Sequence, residues 1–281
     1  MTVPAARIAD AFRAACLDEL DAPKPGNVHV FASGHRMTAA EFERSATAAA
    51  APIAADGARV GTRILNAVEA TFAAVGANTN LGIILLCAPL AAAASPGASD
   101  LRGALEHILT ELDVEDARLA FRAIVRAAPA GLGRAERHDV FEPASVTLRE
   151  AMAAAADRDR IARQYASGFT DVFELGEPVL AGVSRALHPR WAAVAVYLSF
   201  LSHFPDSHVV RKHGLQVAEE TRRAACGFER RMRGLDRPDA LQADLLAWDG
   251  ELKRAGINPG TSADLTVATL FVNRLRSILP P

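Results

Sequence analysis

Apolar residues recur along this chain at helical rather than strand spacing. Between Val60 and Val75, Ile64, Leu65, Val68 and Phe72 fall at i, i+1, i+4 and i+8, which gives one apolar face on a helix. The same reading predicts helices over Ala5–Leu20, Thr38–Ala55, Asp100–Leu112, Val114–Ala127, Ser145–Ala156, Arg158–Glu174, Leu241–Ala255 and Ser262–Leu279. One long charged helix is expected from Val209 to Met232, with a break near Gly214 or Gly227. Two segments are apolar nearly all round and read as buried helices: the one starting at Leu81, and Trp191–Phe204. Asp21–Arg36 and Pro129–Pro143 read as loops. Period-two alternation is nearly absent, so the expected fold is all-α, a single-domain bundle over residues 1–281.

Composition fits that picture. Alanine and leucine favour helix, 50% of the 281 residues are hydrophobic and 6% are aromatic. A net charge of −2 argues against nucleic acid as a partner. The uncharged run Leu81–Ser99 contains Pro89, Pro96 and Gly97, and its apolar part is shorter than the ~20 residues a membrane helix needs. Cys16, Cys87 and Cys226 are widely spaced, so neither a disulfide framework nor a cysteine zinc site is indicated. A cytoplasmic protein is the expectation, with a homo-oligomer compatible.

Polar residues gather at four turns or helix starts. Lys24-Pro25-Gly26-Asn27-Val28-His29 is a turn able to present Lys24, Asn27 and His29. In Gly76-Ala77-Asn78-Thr79-Asn80-Leu81-Gly82, Asn78 or Thr79 can cap the next helix, a natural anion site, and Gly82 admits a ligand to its first turn. One cap leaves Asn80 without a structural task. Asp206-Ser207-His208 opens a helix that carries Arg211, Lys212 and His213. In Asn258-Pro259-Gly260-Thr261-Ser262-Ala263-Asp264, Thr261 reads as the N-cap and Asp264 as its N3 partner. Glu69 lies beside an apolar stripe, where a carboxylate either turns outward or faces a polar cavity. Each of these features also has an ordinary structural reading as a turn, cap or solvated face.

Together the segments resemble one family. Lys24–His29, Gly76–Leu90 (G-A-N-T-N-L-G-I-I-L-L-C-A-P-L), Asp206–Gly214 and Asn258–Leu265 (N-P-G-T-S-A-D-L) stand in the order and spacing of triphosphoribosyl-dephospho-CoA synthases. Gly131–Val140 and Tyr165–Leu180 are similar too, less specifically. The resemblance implies an all-helical transferase that moves the triphosphoribosyl group of ATP to a ribose hydroxyl of dephospho-CoA and releases adenine. It also implies Mg²⁺ with ATP. Asn80-Leu81 and Asp206-Ser207-His208 differ from citrate-lyase-linked members, which carry N-T-H-K-G and D-T-N. The chain is more similar to a branch in archaea and one-carbon-metabolising bacteria, which leaves open a related ATP-dependent step in C1-carrier cofactor synthesis.

For that reaction the residue types suggest roles. Asp206 and Asp264 are the metal or ring-facing carboxylates, and Glu69 is the general base. Lys24, Arg211 and Lys212 hold phosphates. Asn78, Asn80 and Asn258 orient ribose or base, and His29 or His208 assists the leaving group. Gly26, Asn27, Thr79, Gly82, Ser207, Gly260 and Ser262 complete the expected binding set. Two rival readings exist: zinc held by His203, Asp206 and His208, and a metal-dependent phosphohydrolase using His107 with His138-Asp139.

Overall fold

A computed structural model describes all residues except Met1, His35, Arg36, Pro96, Ala130, 184–187, Gly234, Asp236 and Pro281. Pro96, one expected breaker, and Arg36, the expected end of a loop, therefore lie outside the described residues. Among the described residues there are fourteen α-helices and no strand. They are α1 (Ala5–Leu20), α2 (Ala39–Ile53), α3 (Val60–Val75), α4 (Leu81–Ala94), α5 (Leu101–Thr110), α6 (Val114–Ala127) and α7 (Leu148–Ala155), followed by α8 (Arg160–Ser167), α9 (Glu177–Gly182), α10 (Pro189–His203), α11 (Ser207–His213), α12 (Leu215–Arg233), α13 (Gln242–Arg254) and α14 (Gly260–Ile278). Two isolated bridges, His29 with Ala32 and Gly34 with Met37, are the β-type pairings there. None of these helices is long and apolar enough to cross a membrane.

Three of the helices form the middle of the molecule. Every residue of α4 except Gly82 is buried, α10 buries Trp191 through Ser202 with two partial exceptions, and α14 buries most of Thr261–Val272. Helix α14 packs against α4 and α10, and α1 touches all three. Such all-round burial explains why α4 and α10 show no amphipathic stripe in the sequence. The remaining helices wrap this centre in sequence-local pairs: α2 on α3, α3 on α6, α6 on α7, and α7 on α8. The starts of α2, α6 and α7 are fixed by reciprocal caps at Thr38/Glu41, Asp113/Asp116 and Thr147/Glu150.

Two expected helices are divided. Arg158–Glu174 breaks after Ser167, where Gly168 and Phe169 both take positive φ, +63° and +59°. The chain then continues as a π-helical turn, Asp171–Gly176, leading into α9, which the periodicity did not indicate. The long charged helix breaks at Gly214, and Gly227 sits undisturbed inside α12.

Candidate functional site

The Pro25-Gly26 turn is tied to three distant elements. The Gly26 N–H donates to Asp249 Oδ1 on α13 at 2.8 Å, and Tyr197 on α10 donates to the Pro25 carbonyl at 2.6 Å. Asn27 Nδ2 donates to Asn258 Oδ1 at 2.9 Å. Gly26 has φ +82°, and an added Cβ would lie 2.8 Å from Pro259 Cδ and 2.9 Å from the Ile257 carbonyl. Gly26→Ala is therefore expected to destabilise the protein by ~1–3 kcal/mol through strain and overpacking. A urea titration checks this, and a midpoint equal to wild type would refute the close approach.

Below this turn, Lys24 is fully buried. Its Nζ lies 3.0 Å from Glu19 Oε1 and donates to the Val28 carbonyl at 2.7 Å. His29 is also buried, with Nε2 3.3 Å from Asp249 Oδ2, an oxygen that takes a second contact from Lys253 at 2.9 Å. Burial pushes the His29 pKa down, against the pull of Asp249.

At α4, Asn78 Oδ1 accepts from the Leu81 N–H at 3.2 Å, while the N-cap position falls to Asn80, whose side chain makes no cap bond. Thr79 instead donates to Ser45 Oγ at 2.6 Å. Asn80, 5% exposed, keeps a buried Nδ2 with no partner. Gly82 lies under Asp264: an added Cβ would sit 2.0 Å from Asp264 Oδ2. A side chain at position 82 would have to displace the Asp264 carboxylate and Ile161 Cδ1, the latter 2.7 Å from the added Cβ.

Asp206 does not serve as a metal ligand in this arrangement. It is wholly buried, and both of its oxygens are occupied. Oδ1 accepts from the His208 and Val209 N–H groups at 2.9 and 3.2 Å. Oδ2 accepts from Ser262 N and Oγ at 2.7 and 2.8 Å. One carboxylate therefore caps α11 and α14 together, which corrects both the metal role expected for Asp206 and the cap expected from Thr261. Thr261 Oγ1 instead meets Ser207 Oγ at 3.0 Å, and Ser207 Oγ accepts from the Arg160 N–H at 3.2 Å.

Because Asp206 supplies the cap, Asp264 is released from capping and faces inward. Its pKa is raised well above the ordinary carboxylate range, first by burial and then by the charges of Glu19, Asp206 and Asp159; Arg211 opposes this. Arg211 Nη1 pairs with Asp159 Oδ2 at 3.1 Å, and Lys212 donates to the Gly256 carbonyl at 3.3 Å.

These pieces enclose a cavity of about 620 Å³, within the range of ligand pockets, ~300–1,000 Å³. All four motifs reach it: Asn27 from the first, Asn78 to Gly82 from the second, His208, Arg211 and Lys212 from the third, Asn258, Gly260, Thr261 and Asp264 from the fourth. Lys24, Gly26, His29, Asp206, Ser207 and Ser262, all expected in the binding set, are buried behind this wall rather than on it. Glu69 is elsewhere, half-exposed on α3 with Oε2 3.3 Å from Arg126 Nε. That surface position removes it as general base.

The cavity also has residues that sequence reasoning missed. Glu19 forms part of the wall, as do Arg134 from the 129–140 loop and Arg158 and Asp159 ahead of α8; His138, expected only in the phosphohydrolase reading, lines it too. Glu19 left a signal: it shares the face of α1 that carries Ala15, Cys16 and Leu20, a buried stripe where a carboxylate needs a reason. Neither rival metal reading survives. Among the described residues no three His, Cys, Asp or Glu side chains gather as a metal site. His203 is exposed, with Nδ1 2.8 Å from the Ser199 carbonyl. His107 is exposed on α5, and Asp139 is occupied by the Ala135 and Phe141 N–H groups at 2.7 and 2.9 Å.

Residues 5–280 match the ATP:dephospho-CoA triphosphoribosyl transferases, the CitG family. The chain belongs to this family. It is a transferase that moves the triphosphoribosyl group of ATP to dephospho-CoA. A crystal structure from Archaeoglobus fulgidus, assigned as a triphosphoribosyl-dephospho-CoA synthase, is similar at 27% identity with a TM-score of 0.64, covering 81% of this chain and 95% of that one. No curated protein matches significantly.

Proposed function

We propose that the transfer takes place in the cavity between the N-termini of α4 and α14, with Asp264 at its centre. The observation that carries this is the meeting of Gly82 and Asp264. An inward-facing carboxylate is pressed against a helix N-terminus, and desolvation together with the charges of Glu19, Asp206 and Asp159 raises its pKa against the pull of Arg211. Displacing adenine builds positive charge on the ribose, which a carboxylate so placed stabilises.

A divalent cation fits the same wall. Mg²⁺ is usually held by one or two carboxylates together with substrate phosphates rather than by an all-protein cage. Asp264, with Asp159 across from it, supplies that kind of donor set, and the mutual repulsion of the carboxylates here is what a cation relieves. When bound, Mg²⁺ would neutralise triphosphate charge.

The protein side of phosphate binding falls to the two helix N-termini, worth about half a charge each, and to Arg211 and Lys212 on the rim. Arg211→Ala is expected to weaken ATP binding by ~1.5–3 kcal/mol, the worth of a hydrogen bond to a charged group. Calorimetry with Mg-ATP checks it; affinity equal to wild type would leave Arg211 a structural role only. Asn80, with its unpartnered Nδ2, is assigned to a ligand oxygen, and Asn78 and the Asn27–Asn258 pair to ribose or base. His208, beside Gly260 on the wall, is placed to help adenine leave.

The direct test is incubation with ATP, Mg²⁺ and dephospho-CoA while adenine is followed by chromatography. Adenine formed at the same rate with and without dephospho-CoA would sink the reading.

A further inference from the structure

The reaction also needs a base for the acceptor hydroxyl, and with Glu69 exposed and outside the cavity lining none has been named. Three independent observations converge on Glu19. First, it is 4% exposed, yet it borders the cavity. Second, it is ion-paired at 3.0 Å with Lys24, which has no solvent exposure. A buried pair of this kind is weak as a source of stability, because desolvation offsets its attraction, so stability alone gives little reason for it. Third, Glu19 and Asn80 share a side recess of about 10 Å³ with Cys16 and Phe42. That is room for roughly one water-sized group, the size of a hydroxyl, and Asn80 brings to it a buried donor without a partner.

We infer that Glu19 is the base that accepts the proton of the acceptor hydroxyl, and that Lys24 is the positioning residue that keeps Glu19 ionised and aimed. This rests on the transfer reading above. In the step, the acceptor O–H bond breaks and its proton passes to a Glu19 carboxylate oxygen. The acceptor oxygen bonds to C1′ as the C1′–N bond breaks. Adenine leaves with that electron pair and takes up a proton from His208 or water, and Glu19 returns its proton to solvent when product departs. The groups facing Glu19 are Lys24 from the turn, Cys16 from its own helix, Asp264 from α14 and Tyr197 from α10. Lys24 is the cation among them.

The test uses the full chain and adenine release as a function of pH. Glu19→Gln keeps the shape and is expected to lower kcat by ~10²–10⁴-fold, the range of a lost general base. Its Mg-ATP affinity should stay within twofold, and the acid limb that Glu19 contributes should vanish from its kcat/KM profile, leaving the limb of Asp264. Lys24→Met should move that limb to higher pH by ~1 unit or more, since an opposite charge at this distance is worth about that, with activity recovering as pH rises. Lys24→Arg should restore the wild-type limb. Glu19→Gln turnover within fivefold of an active wild type overturns the base. A Glu19→Gln loss that tracks weaker Mg-ATP binding also overturns it and makes Glu19 a metal ligand. Lys24→Met activity lowered by one factor at every pH overturns the positioning role. Where Lys24→Met fails to fold, the persistence or loss of the Glu19 acid limb in Glu19→Gln decides. Absence of adenine release by wild type tells against the transfer reading itself, and so is distinct from these outcomes.

Discussion

Replacing Asp264 with asparagine is expected to cut adenine release by ~10²–10³-fold, the usual cost of removing one preorganised electrostatic stabiliser, while raising the Tm of the ligand-free protein at neutral pH. Both effects have one cause. Asp264 sits in the first turn of α14 against Gly82, partly buried, with desolvation first and then Glu19, Asp206 and Asp159 raising its pKa. A carboxyl whose folded pKa lies above its unfolded value binds its proton more tightly when folded. Its stabilising contribution is full below the unfolded pKa of about 3.9 and is lost as pH rises through the folded one. Asparagine mimics the neutral form at every pH, so the variant should gain on wild type as pH rises, and the two should converge in acid. Thermal melts from acid to neutral pH, paired with adenine release, check both halves. Parallel melting curves would remove the charge argument; normal turnover would remove Asp264 from the reaction.

How much of this was legible in the sequence depends on what each residue answers to locally. Helices α1, α3 and α6 begin and end where periodicity places them, with a local capping box added at α6, since a repeat of 3.6 is written in adjacent residues. The division after Ser167 was not, because it depends on Phe169 adopting positive φ, a conformation its side chain disfavours and which tertiary packing must enforce. The site divides in the same way. The motifs indicated which segments meet, and Asn80 stood out because one cap needs only one side chain. Which member of each motif faces the ligand was hidden. Lys24 and His29 look like ligand contacts in a turn, yet they point beneath it to Glu19 and Asp249. Thr261 looked like the cap of α14 until a carboxylate 56 residues earlier in the chain took that task.

That carboxylate gives the second large effect. Asp206→Ala is expected to destabilise the protein by ~3–5 kcal/mol: two caps lost at up to ~2 kcal/mol each, with buried donors left unpaired at ~1–3 kcal/mol apiece, non-additively. The donors are the N–H groups of His208, Val209 and Ser262 and the Ser262 hydroxyl. Burial pushes the Asp206 pKa up, and these four donors, which favour the charged form, oppose that rise. Asp206→Asn keeps one acceptor oxygen but turns an NH₂ toward two donors, and should recover no more than about half of the loss. Urea denaturation measures both. If Asp206 bound Mg²⁺, Asp206→Asn would instead leave stability unchanged and alter the dependence of turnover on Mg²⁺. The structure predicts the reverse pattern: a lower urea midpoint, and a Mg²⁺ dependence like wild type for the fraction that stays folded. A loss below ~1 kcal/mol for Asp206→Ala, less than a single ordinary cap, would contradict the double-cap geometry on which the inward turn of Asp264 depends.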